Sequence, residues 1–276
     1  MPLSVLTLNV WHDSGPWPER RARIREWIKR LDPDLIGLQE VLRGDSLDQL
    51  AEILEGGDWH ADYVAAQPSW MGRPVAFGNA VASRWPIRGR EARGLPHGDD
   101  GERRAALTVR VDAPVGPVSF TCTHLNWKFH HGPVREAQVQ ALADQVLASR
   151  PPDGFPPILV GDMNAEPDSD EIRFLTGLHS LGGRGVYLHD AWAVAGDRSD
   201  PGITWSNRNP HARANLEPDR RIDYVFTGYP RRNGVGLLEE CRVVCNDEKD
   251  GVWPSDHFGV FAVLRTEPVD GAVSWR

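Results

Sequence analysis

Residues 156–164 read PPILVGDMN, and this segment decides the fold that the sequence predicts. A short apolar run behind two prolines is typical of a buried β-strand, and here it ends at Asp162 and Asn164. Residues 3–10 (LSVLTLNV) and 34–39 (DLIGLQ) have the same form, and polar Asn9 and Glu40 lie at their ends. Strands of this kind predict a protein whose polar groups meet where the strands end.

Amphipathic segments between the strands predict helices. In residues 18–32 the apolar positions share one helical face, and we interpret the arginines opposite them as the solvated side rather than a nucleic-acid patch. The apolar positions are Ile24, Trp27, Ile28 and Leu31, and the arginines are Arg20, Arg21, Arg23 and Arg25. Further helices are predicted at 46–55, at 132–149 and from about Ser169. The helix at 132–149 places Val139, Leu142, Val146 and Leu147 on one side.

The stretch 60–125 contains four alternating segments separated by Gly and Pro, which is typical of an antiparallel meander. Residues 179–220 are interpreted as long loops, and residues 221–226, 237–244 and 257–265 as the last three strands. Strands mixed with helices, without a linker-like stretch between the halves, predict two sheets packed face to face with helices outside. We therefore expect one domain over residues 1–276.

Composition narrows the class of protein without deciding the function. The chain has 276 residues and a net charge of −8, which argues against a general nucleic-acid coat but not against a nuclease. It contains no apolar run of membrane-spanning length, and its first residues are interpreted as a strand rather than a signal peptide. Three cysteines are too few for a disulfide framework, so we expect a reducing, cytoplasmic location.

Polar residues end one apolar strand after another, and this repetition is the main functional signal. Taken singly, each such residue has an ordinary structural explanation, such as a turn cap or a hydrogen-bonded core histidine. Taken together, they predict one convergent site. The residues concerned are Asn9, Glu40, His124, Asn126, Asp162, Asn164, Asp223, Asp256 and His257.

These segments, in this order, resemble the endonuclease/exonuclease/phosphatase superfamily. The motifs that carry the resemblance are LTLNVW, LIGLQEV, GNAVASRWPI, CTHLNW, ILVGDMNAEP, RIDYVF and PSDHFGV, and together they extend from Leu3 to Leu264. The resemblance implies an α/β fold, a four-layered α/β/β/α sandwich of two mostly antiparallel sheets with helices outside. It also implies a divalent-metal-dependent phosphoester hydrolase that uses a metal-assisted, in-line water.

The resemblance assigns a role to each matching position. Glu40 is the implied principal metal ligand, with Asn9 and Asp256 near the same ion, and such oxygen ligands suit Mg²⁺ or Mn²⁺. The implied catalytic residues are Asp162 and Asn164, which position and deprotonate water; His257, oriented by Asp223, which contacts the phosphoryl group; and His124, which donates to a phosphate oxygen. The candidates for substrate binding are Arg103, Arg104, Asn126 and Trp127.

Two local features separate this chain from the family pattern. Some nuclease branches have an acidic residue two positions after the first asparagine, where this chain has Trp11, so the resemblance supplies no second carboxylate there. The adjacent His130 and His131 can bind a second metal, but a loop-specific role in substrate binding or structure is favoured.

We expect a phosphodiesterase or phosphatase that acts on a compact phosphoester, whether a small molecule, a lipid headgroup or nucleic acid. Trp11, Trp127 and Trp253 either pack the strand ends or form a wall for the substrate. The alternatives are a nuclease for DNA or RNA, which Arg73, Arg84, Arg88 and Arg90 would favour if they gathered at the site; a metal-dependent hydrolase of another bond; and a non-catalytic binding module. No obligate protein partner is evident.

Overall fold

Two β-sheets pack against each other, and two long helices, one on each sheet, cover their outer faces. The computed structural model describes residues 2–152 and 154–269, so the ends of the predicted 1–276 domain lie outside the described residues. The strands are β1 (Leu3–Asn9), β2 (Leu35–Gly44), β3 (Leu47–Asp48), β4 (His60–Gln67), β5 (Ala76–Ser83), β6 (Ile87–Gly94), β7 (Ala105–Ala113), β8 (Gly116–His124), β9 (Ile158–Asp162), β10 (His189–Asp190), β11 (Asp223–Thr227), β12 (Leu238–Val244) and β13 (Gly259–Leu264). The helices are α1 (Trp17–Leu31), α2 (Gln49–Leu54), α3 (Gly132–Ala148), α4 (Asp170–Leu175), α5 (Ala191–Ala195) and α6 (Pro210–Arg213).

The first sheet has the order β12-β13-β1-β2-β5-β4, with β3 paired to β2, and the second has the order β10-β11-β9-β8-β7-β6. Only β1 with β2 and β8 with β9 pair in parallel among the described strands. The predicted sandwich of mostly antiparallel sheets with helices outside is confirmed.

Alternate residues of the strands build separate apolar layers. Val5 of β1 and Phe120 of β8 belong to the core between the sheets, whereas Leu6, the next residue in β1, packs under α1 with Ile24. Val139 of α3 packs on the outer face of the second sheet. Because side chains alternate across a strand, one apolar strand can serve both an inner and an outer layer.

Two glycines allow the close approaches that position the site. A Cβ on Gly37 of β2 would lie 2.4 Å from Cγ2 of Val160 in the opposite sheet. A Cβ on Gly161 would lie 2.0 Å from the carbonyl oxygen of Thr123 in β8. Any larger residue at these positions would push β9 away, and Asp162 stands at the end of that strand.

Several sequence predictions need correction. The 60–125 stretch is not one meander, because β4 and β5 belong to the first sheet and β6 to β8 to the second. Strand β6 (IRGREARG) was not predicted, since it is a largely exposed edge without apolar alternation. The predicted helix at 46–55 is the short strand β3 followed by α2. Leu147 is exposed rather than on the buried side of α3.

The arginine-rich face of α1 is also not uniformly solvated. Arg23 is largely buried and Arg20 is fully buried. The Arg20 guanidinium tolerates burial because it donates five hydrogen bonds to backbone carbonyls. These carbonyls belong to Val10, Trp11, His12, Ser14 and Pro254. Arg20 thus ties the loop after β1 to the segment before β13. In the described part of the chain, every helix is too short or too polar to cross a membrane.

Candidate active site

The strand register brings the polar ends together. His124, Asp162 and Asp223 are direct neighbours across β8, β9 and β11. In the first sheet, Asn9 at the end of β1 lies beside Gln39 of β2. Of these residues, His124 and Asp162 line a pocket of about 570 Å³, whereas Asn9 and Asp223 lie behind the lining and hydrogen-bond to it. Residues scattered from 9 to 257 in the sequence therefore meet in one place.

A bulge in β2 turns Glu40 into the pocket. The pairing of β2 with β5 is regular up to Leu38 and resumes at Val41, which leaves two residues outside the register. Glu40 has a φ of +60°, a left-handed backbone conformation that is uncommon for residues other than glycine. The irregularity redirects a side chain at the end of a strand, as bulges next to functional sites commonly do.

Asp162 is the centre of the polar network. Its Oδ2 accepts a hydrogen bond from the Asn9 side-chain amide at 3.0 Å, and its Oδ1 accepts from the Asn164 backbone N–H at 2.8 Å. Burial raises the pKa of Asp162 to about 7, and repulsion from Asp223 acts in the same direction. A carboxylate with a pKa near neutrality is suited to accept a proton from water.

His257 lies between the carboxylates of Asp162 and Asp223, which hold it as a cation. Its Nδ1 lies 2.9 Å from Oδ2 of Asp223, and its Nε2 lies 3.7 Å from Oδ2 of Asp162. Burial disfavours the charged imidazole, but the two carboxylates outweigh that effect and raise the pKa of His257 to about 10. At neutral pH the site therefore presents a buried imidazolium.

His124 has the opposite protonation state. Nη1 of Arg104 lies 2.9 Å from its Nδ1, and because arginine can only donate, that ring nitrogen accepts. Burial, with Arg104 and His257 nearby, holds the pKa of His124 well below its usual range. The other ring nitrogen, Nε2, lies 2.9 Å from the side-chain nitrogen of Asn164 and 3.4 Å from Oδ2 of Asp162, so both ring nitrogens of His124 are held within the polar network.

Glu40 and Asp256 both line the pocket and oppose each other electrostatically. Burial and the Glu40 charge raise the pKa of Asp256 to about 6, and burial also raises the pKa of Glu40. Arg20 offsets part of this charge, but its guanidinium is already committed to backbone carbonyls. Two such carboxylates fit a hard divalent cation, because it would relieve both their repulsion and their desolvation.

A second group of ligand atoms lies next to this pair. Asp162, Asp223 and His257 each offer an atom within 4.8 Å of the others, so this cluster can also hold a metal ion. A metal on His257, however, would have to displace the imidazolium proton that Asp223 and Asp162 stabilise.

The remaining predicted residues occupy different environments. Arg104 is buried and lines the pocket, whereas Arg103 is exposed and is not among the lining residues. Asn126 is fully buried beneath the pocket, where its side chain donates to Glu102 and accepts from the Lys128 backbone. These contacts make Asn126 a support for the loop, so the structure does not place Arg103 or Asn126 where substrate would touch them.

Asn9 is also buried and is absent from the pocket lining. Its side-chain oxygen accepts from the Trp11 backbone N–H at 3.0 Å, and its amide donates to Asp162. Trp11 and Trp127 line the pocket, but Trp253 instead stacks on Phe258. His131 lies 3.8 Å from Asp100 at the pocket margin and contacts His130 edge to face.

Sequence reasoning missed Trp70, Trp205 and Arg220, which all line the pocket. The Trp205 ring packs against His257 with a centroid separation of 4.8 Å, and its indole nitrogen has no partner among the described residues. Nε of Arg220 is likewise buried without a described partner. Trp205 and Arg220 lie within or at the end of the loop-rich region 179–220, where no strand pattern marks individual positions.

Comparison with known proteins identifies the family. A model of the Endonuclease/Exonuclease/phosphatase family matches residues 6–257. The solved endonuclease/exonuclease/phosphatase from Beutenbergia cavernae DSM 12333 is 26% identical, with a TM-score of 0.70 over 99% of this chain and 73% of that one. No curated protein sequence matches significantly. The chain therefore belongs to the endonuclease/exonuclease/phosphatase family.

More distant structures share the fold. TDP2 of D. rerio, complexed with single strand DNA product, is 18% identical with a TM-score of 0.75, covering 96% of this chain and 99% of that one. The human Nocturnin catalytic domain with bound sulfate anion is 19% identical with a TM-score of 0.70, covering 96% and 93%. The family prediction is confirmed, and the chain is a divalent-metal-dependent phosphoester hydrolase.

Proposed function

We propose that this protein hydrolyses a compact phosphodiester with Mg²⁺, or alternatively Mn²⁺, as its cofactor. The observation that carries the proposal is the arrangement around Asp162, where a carboxylate of pKa about 7 lies between an imidazolium and a neutral imidazole. One group can accept a proton while two others stabilise negative charge. Attack of water on an anionic phosphoester requires this combination.

Each residue has a defined task in this mechanism. Asp162, oriented by Asn9 and Asn164, accepts a proton from the attacking water. His257 neutralises charge on the phosphoryl oxygens, and Asp223 holds its ring and its proton. His124, held at Nδ1 by Arg104, would donate from Nε2 to a non-bridging oxygen, which there replaces the side-chain amide of Asn164 as the neighbour of the ring.

Glu40 and Asp256 would hold the cation. A divalent ion there supplies Lewis-acid neutralisation of the phosphate oxygens. We favour this pair over the Asp162–Asp223–His257 cluster because Glu40 and Asp256 can bind the ion without displacing the proton of His257. Oxygen ligands without cysteine favour Mg²⁺ or Mn²⁺ over zinc.

Charge pairing supports a compact substrate over a long nucleic acid. The three Lys and Arg residues that line the pocket each pair with an acidic residue of the same lining: Arg104 with Glu102, Lys128 with Asp100, and Arg220 with Glu217. The four arginines that would favour a nuclease each form an ion pair of their own. Arg84 follows β5 at the end opposite Phe77, which lines the pocket, so the four do not gather at the site.

Three buried cysteines, all free thiols, support a reducing compartment, and we propose the cytoplasm. We also propose that the chain forms one domain.

The test is a substrate panel. Hydrolysis of bis-p-nitrophenyl phosphate, p-nitrophenyl phosphate and plasmid DNA would be measured with Mg²⁺, with Mn²⁺ and with excess EDTA. DNA belongs in the panel because one structural relative was solved with single strand DNA product. We expect the diester to be the preferred small substrate and EDTA to abolish turnover. Full activity in EDTA, or cleavage of DNA in preference to the small diester, would contradict the proposal.

A further inference from the structure

The mouth of the pocket is bordered by exposed apolar side chains. Met71, Trp127, Phe129 and Leu216 are 79%, 51%, 56% and 91% exposed, and we call them the apolar rim. Trp127 itself lines the pocket, and each of the other three is a chain neighbour of a lining residue. Those neighbours are Trp70, Lys128, Asn215 and Glu217. The rim residues therefore lie on the loops that line the pocket.

The backbone holds two rim residues at loop tips. Met71 lies in a tight turn closed by reciprocal backbone hydrogen bonds between Trp70 and Arg73. Met71 and Leu216 have φ values of +48° and +59°, in the left-handed region that favours glycine and asparagine. Long apolar residues at such exposed positions do not serve the fold. Departures from local sequence preference of this kind are expected at functional sites.

The cations that line the pocket are paired, and so is Arg73 beside Met71. Arg73 forms a bidentate pair with Asp13 at 2.5 and 2.9 Å, and the pocket cations are paired with pocket carboxylates. A polyanion gains affinity from unpaired cations, which this surface does not offer among those groups. Paired charges together with projecting apolar tips are instead complementary to a zwitterionic lipid–water interface.

We propose that the apolar rim seats this protein on a zwitterionic lipid surface, so that the pocket receives a phosphodiester presented there. The inference rests on the proposed phosphodiesterase activity and names its substrate class, an amphiphilic phosphodiester. The rim contacts the apolar part of the interface while the scissile phosphate reaches Asp162 and His257 at the pocket floor. Lys128, which lies between Trp127 and Phe129 in the sequence and pairs with Asp100, would meet the polar headgroups.

The test compares two variants on vesicles and in solution. Met71→Asn combined with Leu216→Asn removes two apolar tips while keeping a residue that tolerates the left-handed backbone. Leu178→Asn is the matched control, because Leu178 is 69% exposed but lies outside the rim and the pocket lining. Binding would be measured by co-sedimentation with large unilamellar vesicles of phosphatidylcholine, and bis-p-nitrophenyl phosphate hydrolysis would be measured without vesicles.

We expect wild type and Leu178→Asn to bind the vesicles, and the double variant to lose at least tenfold in affinity. All three proteins should hydrolyse the soluble diester within twofold of one another, which also shows that they are folded. Equal binding by the double variant and the control would overturn the inference. So would binding only to anionic vesicles, displacement of the vesicles by single-stranded DNA, or light scattering that shows the rim joining two copies. Absence of soluble-diester hydrolysis by wild type would instead contradict the proposed function.

Discussion

The ends of the two sheets contribute to the site in different ways. The first sheet presents Glu40 from β2 and Asp256 from before β13, two carboxylates whose charges repel each other and which form no direct ion pair with a described residue, although Arg20 and His257 offset part of their charge. The second sheet presents Asp162, Asp223 and His124 in register, and His257 completes them with a proton already in place. The end of the first sheet is thus suited to bind a cation, whereas the end of the second sheet already contains a positive charge, the imidazolium of His257.

This contrast shows how one fold can divide the work of phosphoester hydrolysis. Unpaired buried carboxylates are costly in the isolated protein, and a ligand that relieves the cost gains affinity. Hydrogen-bonded groups with assigned protons are rigid and act without rearrangement. The two ends should therefore respond differently to substitution.

Loss of the central base should produce the largest effect. Asp162→Asn removes the proton acceptor of the second-sheet cluster, and we expect kcat to fall by about 10⁴-fold. The carboxylates of the first sheet remain, so a Mg²⁺-induced rise in melting temperature should persist. Exposed Asp168→Asn is the matched control and should retain activity. Turnover by Asp162→Asn within tenfold of wild type would show that another residue activates the water.

The pH dependence of kcat/KM should report separately on the protonation of Asp162 and of His257. Asp162 acts when deprotonated and His257 when protonated, so kcat/KM should rise as the pH increases through about 7 and decline above about 10. Asp223→Asn removes the carboxylate that raises both pKa values, so both limbs should move to lower pH. At pH 8 we expect a loss of about 10- to 100-fold. An unchanged alkaline limb in this variant would exclude the role of Asp223 in holding the His257 proton.

The smallest expected effect concerns Glu40 and Asp256 of the first sheet, where Mg²⁺ binding should raise the free energy of unfolding. Near 100 times its Kd, Mg²⁺ should stabilise the fold by about 2.7 kcal/mol at pH 7.5, which corresponds to a rise in melting temperature of about 5 °C. The rise should shrink as the pH falls through about 6, because protonation of Asp256 then removes charge that the ion would neutralise.

Glu40→Gln should remove most of this shift, since it leaves one carboxylate of the pair, whereas exposed Asp58→Asn should keep it. Differential scanning calorimetry with and without Mg²⁺ measures the effect. If Glu40→Gln kept the full Mg²⁺-induced rise in melting temperature, the cation would have to be assigned to the Asp162–Asp223–His257 cluster.

Strand pattern and motif order were enough to predict the sandwich, the family and the hydrolase class. They succeeded because a run such as ILVGDMN carries both its apolar pattern and its polar terminus within seven consecutive residues. The polar residues at strand ends were also predicted as one cluster; six of the nine line one pocket, and Asn9, Asn126 and Asp223 hydrogen-bond to lining residues. Their individual catalytic roles stay predictions.

Other features depended on tertiary contacts alone. The burial of Arg20 could not be read from helical periodicity, because its partners are carbonyls of the loop after β1 and of Pro254, which lies 234 positions away. The same holds for Arg103 and Arg104, adjacent arginines of which only the second lines the pocket. Edge strand β6 lacks an apolar face, so only its pairing with β7 defines it.

The amino-acid sequence by itself determined most of the strands and helices and which chemical groups end the strands, because periodicity and residue type are local properties. Only the tertiary structure decided the charge states and the partners: the imidazolium at His257, the neutral ring at His124, and the repulsion between Glu40 and Asp256. These depend on burial and on charges a few ångströms away, which arrive from distant parts of the chain when the two sheets pack.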